Sequence, residues 1–351
     1  MSIKNIQIYG AGLAGLVSAI NLARNGYHIT VYEKEKKIGG STKCHPSVHM
    51  TPVDIQKMQE YIGIEIESCF SKLESFRGYI GSKKYIFSTK NLYVVERGPR
   101  KSSLDYLLYK IALENGVNFQ FSYPLTSKNI KTIPENSVIA TAGYSQIANV
   151  LHLPYIAFKQ FNTNMETNLE NITIAYFGKY ASDYGYISVK NGILFAQLSG
   201  SIRLSNKHLN KFVSLVKKTE DIKLNNWSFI TAYLPKKVQL FTKFTGKNQI
   251  LAGDIAGFSD PFFGFGINGA LISGKIAANA IVSKQKALQD FKRFSSRIKK
   301  DLLTFLVYWH FPLKSLAQNQ IISFHDNNLS LIKYSIPGFT DEDWLKIISV
   351  T

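Results

Sequence analysis

Cysteine is nearly absent. Among 351 residues there are only Cys44 and Cys69. That excludes a disulfide scaffold and any multi-cysteine zinc or iron–sulfur centre. Acidic residues are scarce as well, 24 against 42 Lys plus Arg, for a formal net charge of +18. Such an excess favours an anionic partner, whether nucleic acid, a membrane surface or a phosphorylated substrate, but carries no information about fold. Long hydrophobic runs are missing too. The longest stretch, 302–311, follows Lys299 and Lys300 and is about half the length a membrane-spanning helix needs. The apolar segment 6–9 is too short for a secretory signal core. The expected address is therefore the cytoplasm, with the membrane surface left open. Internal repeats and low-complexity tracts are absent. Apolar residues are not in short supply: at 45% they are enough for a sizeable core, in two domains or one large one.

The most informative segment is the first. Residues 6–9 read as a strand, followed by Gly10-Ala11-Gly12-Leu13-Ala14-Gly15. From Leu16 to Arg24 apolar residues recur at helical spacing, and Gly26 sits where a helix C-cap belongs. Residues 29–32 are a second strand ending at Glu33, eighteen positions after Gly15. A strand–helix–strand unit of this kind cradles a dinucleotide. The first glycine permits the turn, the second admits the pyrophosphate, and the third lets helix and strand pack closely. The helix N-terminus offers N–H groups to phosphate, and the terminal acid accepts the ribose diol. A second glycine-rich loop follows the strand at 250–252: Gly253-Asp254, Ala256-Gly257, then Gly264-Phe265-Gly266-Ile267-Asn268-Gly269. An acid at a strand end suits a polyol hydroxyl. Glycines opening a helix suit the close approach of a flat ring carrying partial negative charge.

Between these loops, 78–96 reads as a hairpin, 104–113 as a helix, and 117–121 and 138–141 as strands. The stretch 155–235 reads as mostly strand with few helix signals. A small-residue helix is expected over 269–282 and another helix over 288–317.

Segment 10–33, continued by Lys36-Lys37-Ile38-Gly39-Gly40, resembles the adenine-end fingerprint of FAD-dependent oxidoreductases. Segment 253–274 resembles the flavin-end motif of the para-hydroxybenzoate hydroxylase superfamily. Within it, Gly40-Ser41-Thr42-Lys43-Cys44 and Arg97-Gly98-Pro99…Leu104-Asp105 are most similar to the geranylgeranyl reductases. The resemblance implies that Gly10, Gly12, Gly15 and Glu33 hold the ADP half of FAD, and that Leu13, Ala14, Lys34, Gly40 and Gly253 also belong to the cofactor site. Arg97, or its neighbour Arg100, would touch the cofactor chain. Asp254 would bind the ribityl hydroxyls, and Gly264, Gly266, Ile267 and Asn268 would face the pyrimidine end of the flavin. Cys44 would donate a proton or shape the pocket, and Tyr186, Phe262 and Phe263 would line the substrate cavity.

Departures from the pattern have consequences. The superfamily's Asp-Gly pair is Ala142-Gly143 here, which puts direct use of NADPH in question. Of the reductases' Tyr-x-Trp-x-Phe-Pro segment lining the lipid cavity, Tyr186-Ile187-Ser188-Val189-Lys190 keeps the tyrosine but lacks the tryptophan, phenylalanine and proline. For Cys44 the alternative is a small buried residue, the usual state of a free cysteine. Cys44, His45 and His49 lack the defined ligand set of a metal site and read as polar loop residues. Phe258, Phe262, Phe263 and Phe265 line an apolar channel or pack the core. The basic run 284–300 beside an aromatic stretch suits an anionic membrane, although such runs more often face water. No recognition motif accompanies it, so nucleic acid is not expected.

The expected fold is α/β. A Rossmann-like FAD-binding domain would be built from 1–75, 97–150 and 240–285. An antiparallel substrate sheet would come from 76–96 and 151–239, and C-terminal helices from 286–351. The expected activity is reduction of C=C bonds in a prenyl-lipid-like substrate. Hydroxylation of an aromatic or apolar small molecule is the alternative.

Overall fold

The computed structural model describes residues 4–41, 43–80, 83–142, 145–177, 184–261, 264–310 and 347–350. Its first layer is a six-stranded sheet. The order is Phe241–Phe244, Lys247–Leu251, Val138–Ile139, Asn5–Tyr9, His28–Tyr32 and Asn118–Gln120. All neighbours are parallel except the Phe241–Phe244 edge. Register pairs Ile6 with Ile29 and Ile8 with Val31. All four side chains are buried, so the alternation of strand residues feeds the core directly. Helices Leu13–Arg24 and Ile267–Val282 pack on each other through small residues. A β-carbon on Gly274 would lie 2.5 Å from the carbonyl of Ala14.

A second layer is an eight-stranded sheet, ordered Ser228–Pro235, Tyr155–Glu166, Ile193–Gly200, Tyr184–Lys190, Ile172–Phe177, Ser75–Ile80, Lys83–Phe87 and Ile347–Val350. It is antiparallel except that Ile172–Phe177 runs parallel to Ser75–Ile80. One face takes the helix Asn206–Glu220 through Leu209, Phe212 and Val216. The other sends Ala175, Ile193 and Phe195 into the main core.

Three features differ from the sequence-based expectation. The stretch read as strand contains the helix Asn206–Glu220. Ser205 caps it reciprocally with His208, and its apolar residues 209, 212 and 216 lie on one helical face. The hairpin read over 78–96 takes only Ser75–Ile80 and Lys83–Phe87. Strand Leu92–Arg97 instead centres a three-stranded sheet between Ser47–Pro52 and Phe70–Lys72. The last long helix is Lys284–His310. The remainder of the 286–351 segment lies outside the described residues, apart from the strand Ile347–Val350. Among the described residues no helix is long and apolar enough to cross a membrane.

Candidate functional site: two abutting glycine turns

The first turn leaves strand Asn5–Tyr9 at Gly10, with φ +107°, a conformation that disfavours any side chain. Gly15 is held as tightly: a β-carbon there would lie 1.9 Å from the Gly10 carbonyl oxygen. Gly12 is the opposite case. It caps the helix with no side-chain hydrogen bond, and a β-carbon on it would meet nothing within 4 Å. The turn is thus closed beneath and open above, with uncapped helix N–H groups at the opening. Leu13 and Ala14 are buried below it. Glu33 is 8% exposed. Its carboxylate accepts the Ala11 N–H at 2.7 Å and the Glu35 N–H at 3.0 Å, fixing the acid against the turn. Lys34 is half exposed and lies 3.8 Å from Glu35.

The second turn follows strand Lys247–Leu251. Gly253, at φ +71°, donates its N–H to Ser273 Oγ at 2.8 Å. A β-carbon on Gly253 would sit 3.1 Å from that of Ala14, so the two turns abut. Asp254 accepts the Ser259 hydroxyl at 2.6 Å and lies beside Gly266, which starts Ile267–Val282 without a side-chain cap. Gly264 has φ +68°, and Ile267 is buried. Asn268 is fully buried. Its Nδ2 donates to the Pro52 carbonyl at 2.8 Å, while its Oδ1 has no partner, and neither has the buried Thr141 Oγ1. A buried polar atom left unpaired costs about 1–3 kcal/mol. Such atoms beside an open cradle fit a ligand that brings hydrogen-bonding groups.

Arg97 points inward. Its Nε and an Nη bond Asp105 at 2.7 and 2.9 Å, and Asp105 also accepts the Gly98 N–H at 2.9 Å. Burial works against both charges, but each is held by the other: Asp105 stays below the usual carboxylate range and Arg97 above its own ordinary value. Arg100 instead pairs with Glu96 at 3.2 Å and donates to the Asn191 carbonyl. Gly40 turns at φ +71°, with the His45 ring 3.0 Å from its β-carbon position. Cys44 is half-buried. Burial, and secondarily Glu35, push its thiol up against Lys34 and Lys43, so it carries its proton at neutral pH.

Tyr186, assigned to the substrate cavity, is half-buried with its ring 5.9 Å from Phe195. Phe258 packs in the core against Phe291. Phe262 and Phe263 lie outside the described residues. His45 and His49, read as polar loop residues, are instead engaged. His45 Nδ1 meets Ser47 Oγ at 2.8 Å, Ser47 Oγ meets His49 Nε2 at 2.9 Å, and His49 Nδ1 meets the Tyr186 hydroxyl at 2.8 Å. The signal in the sequence was the spacing of Ser47 and His49, which puts two polar groups on one face of the strand Ser47–Pro52, with His45 just before it. Burial first, then Arg97, push His45 down to about 4 and His49 to about 3.

Comparison with known proteins gives three findings. A profile of the NAD(P)-binding Rossmann-like domain matches residues 8–55. Over 48 residues, 14% of this chain, the sequence is 44% identical to the flavin-containing monooxygenase FMO GS-OX-like 6 of Arabidopsis thaliana, and the match spans only 10% of that protein. Two solved structures share the fold along nearly the whole chain. One is a geranylgeranyl bacteriochlorophyll reductase-like protein of Thermoplasma acidophilum, with TM-score 0.62, 17% identity, and 91% and 88% of the two chains covered. The other is the p-nitrophenol 4-monooxygenase of Pseudomonas putida, with TM-score 0.62, 13% identity, and 93% and 94% covered. The chain therefore shares the fold of these two proteins.

Proposed function

We propose that this chain is an FAD-dependent oxidoreductase that reduces C=C bonds of a hydrophobic, isoprenoid-like substrate. The observation that carries the cofactor is the pair of abutting glycine turns, with two uncapped helix N-termini, open space over Gly12 and orphaned polar atoms at Asn268 and Thr141. Backbone N–H groups after Gly12 would take the pyrophosphate, and Glu33 the adenosine ribose. Asp254 would bind the ribityl hydroxyls. The segment Gly264–Asn268 would flank the pyrimidine edge, where the dipole of Ile267–Val282 favours negative charge. Arg97, locked by Asp105, would present positive charge beside the cofactor chain.

FAD, when bound, supplies a hydride to one alkene carbon. The chain's part is orientation and provision of a proton to the other carbon, for which the protonated Cys44 thiol is one source. The eight-stranded sheet, with Tyr186 facing the main core, is proposed as the substrate-binding unit. The parallel sheet with its helices is the cofactor-binding unit. The exposed basic side of Lys284–His310 is proposed to meet an anionic membrane surface, where a prenyl lipid would be found.

The test is anaerobic incubation of purified, dithionite-reduced FAD-loaded protein with geranylgeraniol. The expected product is heavier by pairs of hydrogens. Oxygen consumption in air with oxygen incorporated into product, and no reduced alkene, would overturn this reading in favour of monooxygenase activity. That second reading is supported by the likeness to the p-nitrophenol monooxygenase and weakened by Ala142 in place of the superfamily's acid.

A further inference from the structure

His45, Ser47, His49 and Tyr186 form an unbroken hydrogen-bonded line. It starts on the segment after the Gly39–Gly40 turn and crosses into the eight-stranded sheet. Each link is between 2.8 and 2.9 Å, normal for such bonds. Beyond Tyr186 the line continues to Gln197 Oε1 at 3.4 Å, and Gln197 donates to Ser199 at 2.7 Å. Phe195 packs beside two of the rings, 5.5 Å from His49 and 5.9 Å from Tyr186. The charged groups acting on both rings are Arg97, which disfavours an imidazolium, and its partner Asp105, which favours one more weakly. Burial and Arg97 outweigh Asp105, so the imidazoles are neutral and each has one donor and one acceptor nitrogen.

That composition allows only two concerted arrangements. In one, the Tyr186 O–H donates to His49 Nδ1, His49 Nε2–H to Ser47, and the Ser47 O–H to His45 Nδ1, leaving His45 Nε2 as the outer donor. In the other every bond is reversed: His45 Nδ1–H donates to Ser47, Ser47 to His49 Nε2, and His49 Nδ1–H to the Tyr186 oxygen, whose own proton points away from His49. We propose that this line is a proton relay, with Tyr186 as the final proton donor to the substrate and His45 as the point of entry. The proposal rests on the reductive reading above. From the second arrangement, Tyr186 gives its proton to the alkene carbon as hydride arrives at the other carbon. The phenol oxygen then takes the His49 Nδ1 proton, His49 Nε2 takes the Ser47 proton, and Ser47 takes the His45 Nδ1 proton. His45 Nε2 receives one proton from solvent at the Gly40 turn. One proton enters for each that leaves, no residue ends charged, and the line finishes in the first arrangement. Seen this way, His45, Ser47 and His49 are positioning and conducting residues, and Tyr186 is the catalytic one.

The test has two arms. Nitrogen-15 spectra of the unliganded protein should show both rings neutral near pH 6. Tyr186→Phe should shift the ring nitrogens of His45 as well as those of His49, and Ser47→Ala should abolish the effect at His45 while Ser47→Thr preserves it. A His45 signal indifferent to Tyr186→Phe, or an imidazolium at pH 6, overturns the relay whatever the activity. In the second arm, flavin reoxidation by geranylgeraniol should fall roughly 100-fold or more in Tyr186→Phe. It should slow in Ser47→Ala with an altered solvent isotope effect, and recover in Ser47→Thr. A Ser47→Ala variant with unchanged rate and isotope effect overturns the proton role. If the wild-type protein yields no reduced alkene while the spectral coupling is present, the reductive reading fails and takes with it the donation from Tyr186 to an alkene, while the coupled hydrogen-bonded line stands.

Discussion

Two imidazoles held neutral inside the protein set a limit on its tolerance of acid. His45 and His49 are pushed down to about 4 and about 3, against about 6.5 in an unfolded chain. Between these values the unfolded state binds more protons, so stability falls as pH drops from about 6.5 toward 4. The loss at pH 4 is on the order of 3 kcal/mol per ring. Asp105, also held low, adds its own loss only below the ordinary carboxylate range. Urea titrations at pH 7 and pH 4.5 should show a marked drop in midpoint, and the drop should be smaller in His49→Gln. An equal drop in both would contradict the assignment. These histidines show which residues the sequence hides. Glu33 was legible because a strand, a helix and a glycine turn frame it. His45 and His49 were not, because their partner Tyr186 arrives from a sheet more than a hundred positions away.

At the level of elements, the helix Asn206–Glu220 holds the far face of the eight-stranded sheet. Phe212 is fully buried, 5.5 Å from the Tyr176 ring and pressed against Gly185. Phe212→Ala should cost about 3–5 kcal/mol, read as a lowered urea midpoint with an unchanged spectrum of bound flavin. Loss of flavin binding in a folded variant would show instead that the two sheets are not energetically separate. This helix escaped the sequence reading because its Asn, His and Lys content masks an apolar stripe at 209, 212 and 216. The parallel sheet was legible because its strands carry the glycine turns at their ends. The three-stranded sheet was not, since its order depends on which distant strand Leu92–Arg97 meets.

For the whole molecule the +18 charge has a local expression. On Lys284–His310 the acids are turned inward or paired: Asp290 accepts from Tyr61 and Asn279, and Asp301 pairs with Arg297. Lys286, Lys292, Arg293 and Lys299 remain on the exposed side, with Leu288 and Leu303 46% and 66% exposed beside them. Such a side should bring the protein down with phosphatidylserine vesicles at low salt and release it as salt rises. Sedimentation with neutral phosphatidylcholine vesicles to the same extent, or none with either, would contradict the reading.

The contact between Gly253 and Ala14 also has a consequence in time. The parallel sheet sets Asn5–Tyr9 beside Val138–Ile139, and these beside Lys247–Leu251. The glycine turn after Asn5–Tyr9 is therefore walled by residues translated more than two hundred positions later. A ribosome delivering about 5–20 residues per second leaves the first turn without its neighbour while the intervening residues are made. Fragments ending before the second turn, though they contain the entire first fingerprint, lack half the wall of the cradle. Cofactor capture would then wait for the second turn to be made.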